Sequence, residues 1–234
     1  MKLNQVWAVY FSGTGTTRRT VERIAGGIAS RLALPVETVN FSRPSVRQES
    51  LRFGETDLVV LGTPVYAGRV PNVLLPFLKE NVMGGGALAV PVVLFGNRNY
   101  DDALIELRNI LIADGLHPIA AGAFVGEHSF SRELGVGRPN AGDEALMDEL
   151  AARTAESTAA WETAPQTPVT VRGQEPIRPY YTPRDRAGNP INILKVKPKT
   201  DMSRCGGCGL CAEMCPMGSI DLVDVSQVQG VCIK

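Results

Sequence analysis

The sequence predicts an α/β protein: a doubly wound, five-stranded parallel sheet with helices on both faces, followed by a small cysteine-rich module. Three observations carry that expectation. Five short apolar runs alternate with helical patterns through the first 160 residues, the mark of strand–helix–strand crossovers. The runs are continuously apolar rather than alternating, as strands covered on both faces are. No cysteine occurs before residue 205, and four then fall within eleven residues; a disulfide scaffold scatters its cysteines, so this cluster reads as a metal site.

The expected strands are 6–11, 36–41, 58–61, 88–95 and 119–125. Between them, residues 17–32 carry Val21, Ile24, Ala25, Ile28 and Leu32, spaced to form one apolar helix face. Further helices are expected at 73–79, 101–112 and 143–161, with a short one at 45–53. Composition changes near residue 162: residues 162–200 hold seven of the sixteen prolines, and seven Lys and Arg against three Asp and Glu. Such a segment is no helix interior and is expected to run extended over a surface. The layout is therefore an α/β domain at 1–161, a basic proline-rich linker at 162–200, and a metal-binding module at 201–234.

Bulk properties narrow the function. Hydrophobic residues make up 44% of the 234 and charged ones 21%, which fits a globular core and not a disordered chain. Lys+Arg and Asp+Glu balance at 24 each, so bulk charge gives no support for nucleic acid or an anionic membrane as partner. No run approaches the roughly 18–20 apolar residues of a membrane span. The chain opens directly into Val6-Trp7-Ala8-Val9-Tyr10-Phe11, too short for a signal-peptide core, and a soluble cytoplasmic protein is expected.

In a doubly wound sheet, ligands bind beyond the carboxyl ends of the strands at the point where strand order reverses. After the first strand comes Ser12-Gly13-Thr14-Gly15-Thr16-Thr17. Hydroxyls and backbone N–H groups there can wrap a phosphate at a helix N-terminus. The loop has no lysine, which removes the nucleoside-triphosphate reading, and it is not Gly-x-Gly-x-x-Gly. Taken alone, it is equally an ordinary cap and turn. After the third strand comes Thr63-Pro64-Val65-Tyr66-Ala67-Gly68-Arg69, and after the fourth Gly96-Asn97-Arg98-Asn99-Tyr100-Asp101. Each presents an aromatic among backbone-exposing residues, suited to a flat ring; a proline turn and a helix cap are the plainer alternatives.

Together the three loops resemble the flavodoxin family, over residues 1 to about 160. The resemblance implies that Ser12, Thr14, Thr16 and Thr17 hold the phosphate of FMN. It implies that Tyr66 and Tyr100 sandwich the isoalloxazine, with Val65–Gly68 and Gly96–Asn99 facing its polar edge. Arg69 and Arg98 depart from the acidic surroundings usual in flavodoxins, and a cation near the reduced ring should raise its potential. His128, after the fifth strand on the same sheet edge, is placed to relay a proton or meet a partner, or simply to close its loop. His117 carries no site argument.

The spacing Cys205-x2-Cys208-x2-Cys211-x3-Cys215-Pro216, with Gly206, Gly207 and Gly209 to curl the backbone, suits a 4Fe–4S cluster. A zinc site more often separates two cysteine pairs across a longer finger. The pattern resembles bacterial ferredoxins, in whose two-cluster forms the fourth cysteine of a motif serves the other cluster. Cys232-Ile233-Lys234 then looks like the opening of a second motif, with a further cysteine expected next in the natural protein. On that reading Cys205, Cys208 and Cys211 supply three ligands of one cluster and Cys215 belongs to another.

The whole chain resembles the flavodoxin–ferredoxin fusions of anaerobic bacteria. That implies intracellular electron transfer between two 4Fe–4S clusters and FMN, with ferredoxin-type redox proteins as donor or acceptor. The rival from the enzyme class is an FMN-dependent reductase of a quinone or heme precursor. A third reading is a sensor whose cluster reports oxygen or iron.

Overall fold

The computed structural model describes residues 2–131, 133–191 and 197–233; residues 192–196 of the basic segment and Lys234 lie outside them. The central sheet is parallel throughout, with order β2 (Val36–Asn40), β1 (Gln5–Tyr10), β4 (Asp57–Pro64), β6 (Leu88–Phe95). The fifth position is shared by two short strands, β7 (His117–Pro118) and β8 (Gly122–Val125), both paired with β6. Order reverses at β1, so the carboxyl ends of β1 and β4 open onto the switch point.

Period-two geometry divides each strand between two cores. Val9, Val59, Leu61, Ala89 and Val93 face α2 (Leu75–Glu80) and α3 (Ala103–Ala113). Val6, Ala8, Val60, Val90 and Val92 face α1 (Thr16–Leu32) and α4 (Ala141–Ala160). Leu58 through Thr63 and Leu88 through Leu94 are buried without interruption, which is why these stretches read as solid apolar runs. Truncating a fully buried residue such as Leu61 or Leu78 should cost about 2–5 kcal/mol. Helix α4 starts sharply because Asn140 and Asp143 form a reciprocal capping box.

Three expectations need correction. Residues 45–53 hold only a 3-10 turn, Val46–Gln48, followed by β3 (Leu51–Arg52), which pairs in parallel with β5 (Val82–Met83). A long-range pairing there replaces the local helix. The run 119–125 is interrupted: residues 119–121 lie between β7 and β8 and belong to neither, though Ile119 N–H still donates to Ala89 O of β6 at 2.9 Å. The helix expected from 101 begins at Ala103, because Asp101 takes a left-handed φ of 43°, which no helix interior accommodates.

Candidate functional site

The loop after β1 is pinned by a residue the sequence reading did not single out. Ser42, just beyond β2, accepts from the Ser12 backbone N–H through its Oγ at 2.7 Å, while Asn40 Oδ1 accepts from Ser42 N–H. Ser12 Oγ accepts from Arg18 N–H at 3.2 Å. Gly15, left-handed at φ 86°, precedes α1, which has no side-chain cap and no acidic residue in its first turn. The positive end of the helix therefore faces Gly13 and Thr14, both exposed. Ser12 and Thr16 are half-buried; Thr17 is buried and turned toward Gly62 of β4.

The loop after β4 is a two-residue hairpin. Tyr66 and Arg69 exchange both backbone hydrogen bonds at 3.0 Å, with Ala67 and Gly68 at φ 50° and 81°, the geometry of a type I′ turn. A Cβ on Gly68 would sit 2.6 Å from Asp101 Oδ2, so the position needs glycine for conformation and for space. Asp102 N–H donates to Gly68 O at 3.0 Å, which ties this loop to the next. Thr63 is fully buried, and its Oγ1 is one of the side-chain atoms without a hydrogen-bond partner among the described residues; an orphaned hydroxyl here fits a polar ligand group. Tyr66 is half-buried, and burial together with Cys232 pushes its phenol up to about 12. It is a neutral donor at physiological pH.

The loop after β6 folds on itself. Asn99 Oδ1 accepts from Asp101 N–H at 3.0 Å, and Arg98 donates to Asp101. Gly96 lies against His128: an added Cβ would meet His128 Cδ2 at 2.5 Å. His128 Nδ1 accepts from Phe130 N–H at 3.1 Å, so the histidine closes its own loop. The Tyr100 ring packs at a tilt against that of Phe95, their centres 5.4 Å apart, with the Arg172 guanidinium 5.9 Å from the Tyr100 centre.

The proline-rich segment straps these two loops together. Asp102, at 1% exposure, accepts from Gln174 N–H and Arg178 N–H at 3.0 Å and from Arg178 Nε at 2.7 Å. The Arg178 guanidinium, with those two N–H donors, holds the Asp102 carboxyl at about 2. Tyr180 O–H donates to Val70 O at 2.7 Å, and Tyr181 N–H to Ala67 O at 2.9 Å. Arg69 forms a fork with Glu106, Nε and Nη2 donating at 2.7 and 2.5 Å, and its Nη1 donates to Arg178 O. Its guanidinium lies 4.6 Å over Tyr180, and that of Arg98 lies 5.1 Å over Tyr181. The two cations expected to raise a ring potential are thus each paired with a carboxylate and turned toward the strap, which cancels most of their field.

In the C-terminal module, α5 (Leu210–Glu213) follows the glycine curl. Cys205 Sγ accepts from Gly207 N–H at 3.4 Å and Cys215 Sγ from Ser219 N–H at 3.3 Å. Backbone N–H groups aimed at sulfur and a donor set of thiols alone fit an iron–sulfur cluster. Among the described residues no three Cys, His, Asp or Glu side chains converge on a single point. Arg47 ties the module to the sheet: its guanidinium donates to Phe41 O at 2.8 Å, Ser42 O at 2.7 Å and Pro216 O at 2.7 Å. A cleft results in which Gly13, Thr14 and Tyr66 face Cys215, Met217 and Cys232. Of the sequence-derived site residues, this cleft gathers Gly13, Thr14, Tyr66, Cys215 and Cys232. Tyr100 and the loop Gly96–Asp101 do not line it, and neither do Cys205, Cys208 and Cys211.

Comparison with known proteins gives two family matches, a flavodoxin domain over residues 8–96 and a 4Fe-4S binding domain over residues 198–221. No curated protein matches the chain. Among solved structures, a flavodoxin from the domain Archaea is 16% identical, with a TM-score of 0.48, covering 66% of this chain and 99% of its own. The flavodoxin of Streptococcus pneumoniae TIGR4 is 15% identical at 0.47, covering 65% and 99%. The rubredoxin oxygen:oxidoreductase of Desulfovibrio gigas is 13% identical at 0.44, covering 68% and 38%. The chain joins a flavodoxin domain at its N-terminal part to a 4Fe–4S domain at its C-terminal part, and FMN and a 4Fe–4S cluster are the cofactors that these domains imply. It is an electron-transfer flavo-iron–sulfur protein. Among the described residues no helix is long and apolar enough to cross a membrane.

Proposed function

We propose that the chain passes electrons between two 4Fe–4S clusters and FMN, in the cytoplasm, on behalf of ferredoxin-type redox partners and without a nucleic-acid partner. In this reading the domains are 1–161, 162–200 and 201–234. The observation that carries it is the shared cleft: phosphate-loop residues Gly13 and Thr14 and the aromatic Tyr66 face two cysteines of the cluster module. Ser12 through Thr17 hold the FMN phosphate at the open end of α1. Thr63 through Gly68 and Gly96 through Asp101 bound the ring, with Tyr66 and Tyr100 as its aromatic neighbours. When bound, FMN takes up one or two electrons and each cluster one, which supplies the exchange between pair and single-electron carriers.

The chain's own residues bind, orient and shield. Tyr66 keeps its phenolic proton and offers a donor rather than a charge. The strap through Arg178, Tyr180 and Tyr181 is bonded to Asp102, Val70 and Ala67 and so holds the ring loops in place. The cleft measures about 140 Å³, below the roughly 300–1,000 Å³ of small-molecule sites. Seating FMN there therefore requires the cleft to widen. Protein purified without oxygen should show flavin and iron–sulfur absorbance together and release FMN, not FAD, on denaturation. Absence of flavin, or rapid turnover of free quinone in place of exchange with ferredoxin, would overturn the reading.

A further inference from the structure

We propose that the cysteine module docks end-on, so that the cluster drawing on Cys215 is the one that faces FMN, while the Cys205–Cys208–Cys211 face points outward; this placement rests on the proposed function. The two ends differ in the structure. Cys215 is half-buried in the wall of the cleft shared with Gly13, Thr14 and Tyr66, and Cys232 lines the same wall. Cys208 and Cys211 are exposed, and none of the first three cysteines lines the cleft. In a two-cluster arrangement the fourth cysteine of a motif ligates a different cluster from the first three, so the two ends of this motif mark two different clusters.

A continuous set of polar contacts fixes that orientation. Ser12 of the phosphate loop is bonded to Ser42, whose carbonyl accepts from Arg47, and Arg47 reaches Pro216 O immediately after Cys215. Arg47 also lies 5.7 Å over the ring of Phe11, the residue before Ser12. A half-buried guanidinium with three carbonyl acceptors in a fixed fork defines direction as well as contact. The exposed pair Arg43–Glu213, at 3.0 Å, adds little energy but acts in the same sense. Arg47 is thus the positioning residue that holds the Cys215–Pro216 turn beside the phosphate loop.

The test uses the full chain loaded with its clusters and FMN, all five native cysteines kept. One exposed residue beside each end of the motif is changed to cysteine and labelled with a nitroxide, Met214→Cys next to Cys215 or Arg204→Cys next to Cys205, and the phosphorus NMR resonance of bound FMN is the readout. The label at position 214 should broaden that resonance more strongly than the label at position 204, and reducing the nitroxide should restore it. With Arg47→Gln added, the difference between the two labels should disappear while FMN stays bound. Equal broadening from both positions, or stronger broadening from position 204, would overturn the end-on placement. Persistence of the full difference in Arg47→Gln would overturn the role of Arg47. Failure of the unlabelled chain to bind FMN at all would remove the functional reading, and this placement with it.

Discussion

In β6, seven of eight residues are buried, whereas across the described residues from 201 onward only Ala212, Ser219 and Val225 are. The α/β layer stands on apolar burial, and its loops are held by their own hydrogen bonds. The cysteine module has almost no core, which is the condition of small modules that depend on metal ligation for their fold. The Arg47 fork joins the two with a half-buried guanidinium, and Ile233 packs against the α/β core beside it. On the proposed reading, the fold sets the flavin half of the site, and metal ligation with a few charged contacts sets the cluster half.

The sharpest way to break that contrast is at the phosphate loop. Ser12→Asp with Thr14→Asp places two carboxylates against a phosphate dianion, a like-charge cost of about 3 kcal/mol or more, and flavin content should fall about a hundredfold or more in affinity. The fold should survive, since Ser12 and Thr14 are not core residues; unchanged flavin content would place the phosphate elsewhere.

Within the α/β layer, Glu106→Ala leaves Arg69 largely buried without its carboxylate. Removing one member of such a pair costs about 3–5 kcal/mol, so thermal unfolding should shift down by roughly 6–20 °C on the scale of a chain this size. A shift within error would mean that the pair is solvated.

The strap should respond to acid. Asp102 has its carboxyl at about 2, below the ordinary value of 3.8, so its stabilisation is complete above that ordinary value and disappears as pH falls through about 2. Asp102→Asn should remove about 2 kcal/mol at neutral pH and abolish the acid dependence. Protection of the amides of Gln174 and Arg178 from hydrogen exchange is the measurement. Identical protection in variant and parent at pH 6 would show that the strap is held by other contacts.

The smallest effect is expected at Arg98, exposed and paired with Asp101. Arg98→Glu should lower the potential of bound FMN only slightly, an interaction under about 1 kcal/mol for an exposed pair. A potentiometric shift well beyond that would mean that Arg98 leaves Asp101 for the flavin when FMN is bound.

What the sequence made legible follows from the same physics. Strands 6–11 and 88–95 and the helix from Thr17 could be read because burial on both faces, or on one stripe, leaves a local pattern. The ribbon of Leu51–Arg52 with Val82–Met83 could not, because two residues have no period. The Ser12–Thr17 loop and the cysteine motif are each local in sequence, so a role could be proposed for them from their own residues. Ser42, Arg47 and the contact of Asp102 with Arg178 join residues 30 to 169 positions apart, and nothing in their neighbourhoods announces the partner. Arg69 is the clearest case: its loop suggested a cation for the flavin, and only Glu106, 37 residues away, shows where that charge is spent.

The central claim is that clusters and flavin form one site within one chain. In cofactor-loaded protein under argon, a light pulse with a photoreductant that reduces the clusters first should be followed by flavin reduction as the clusters reoxidise. That second phase should have the same rate constant at every protein concentration, as transfer within a chain must. A rate rising in proportion to protein concentration, or clusters that stay reduced beside oxidised FMN, would contradict it.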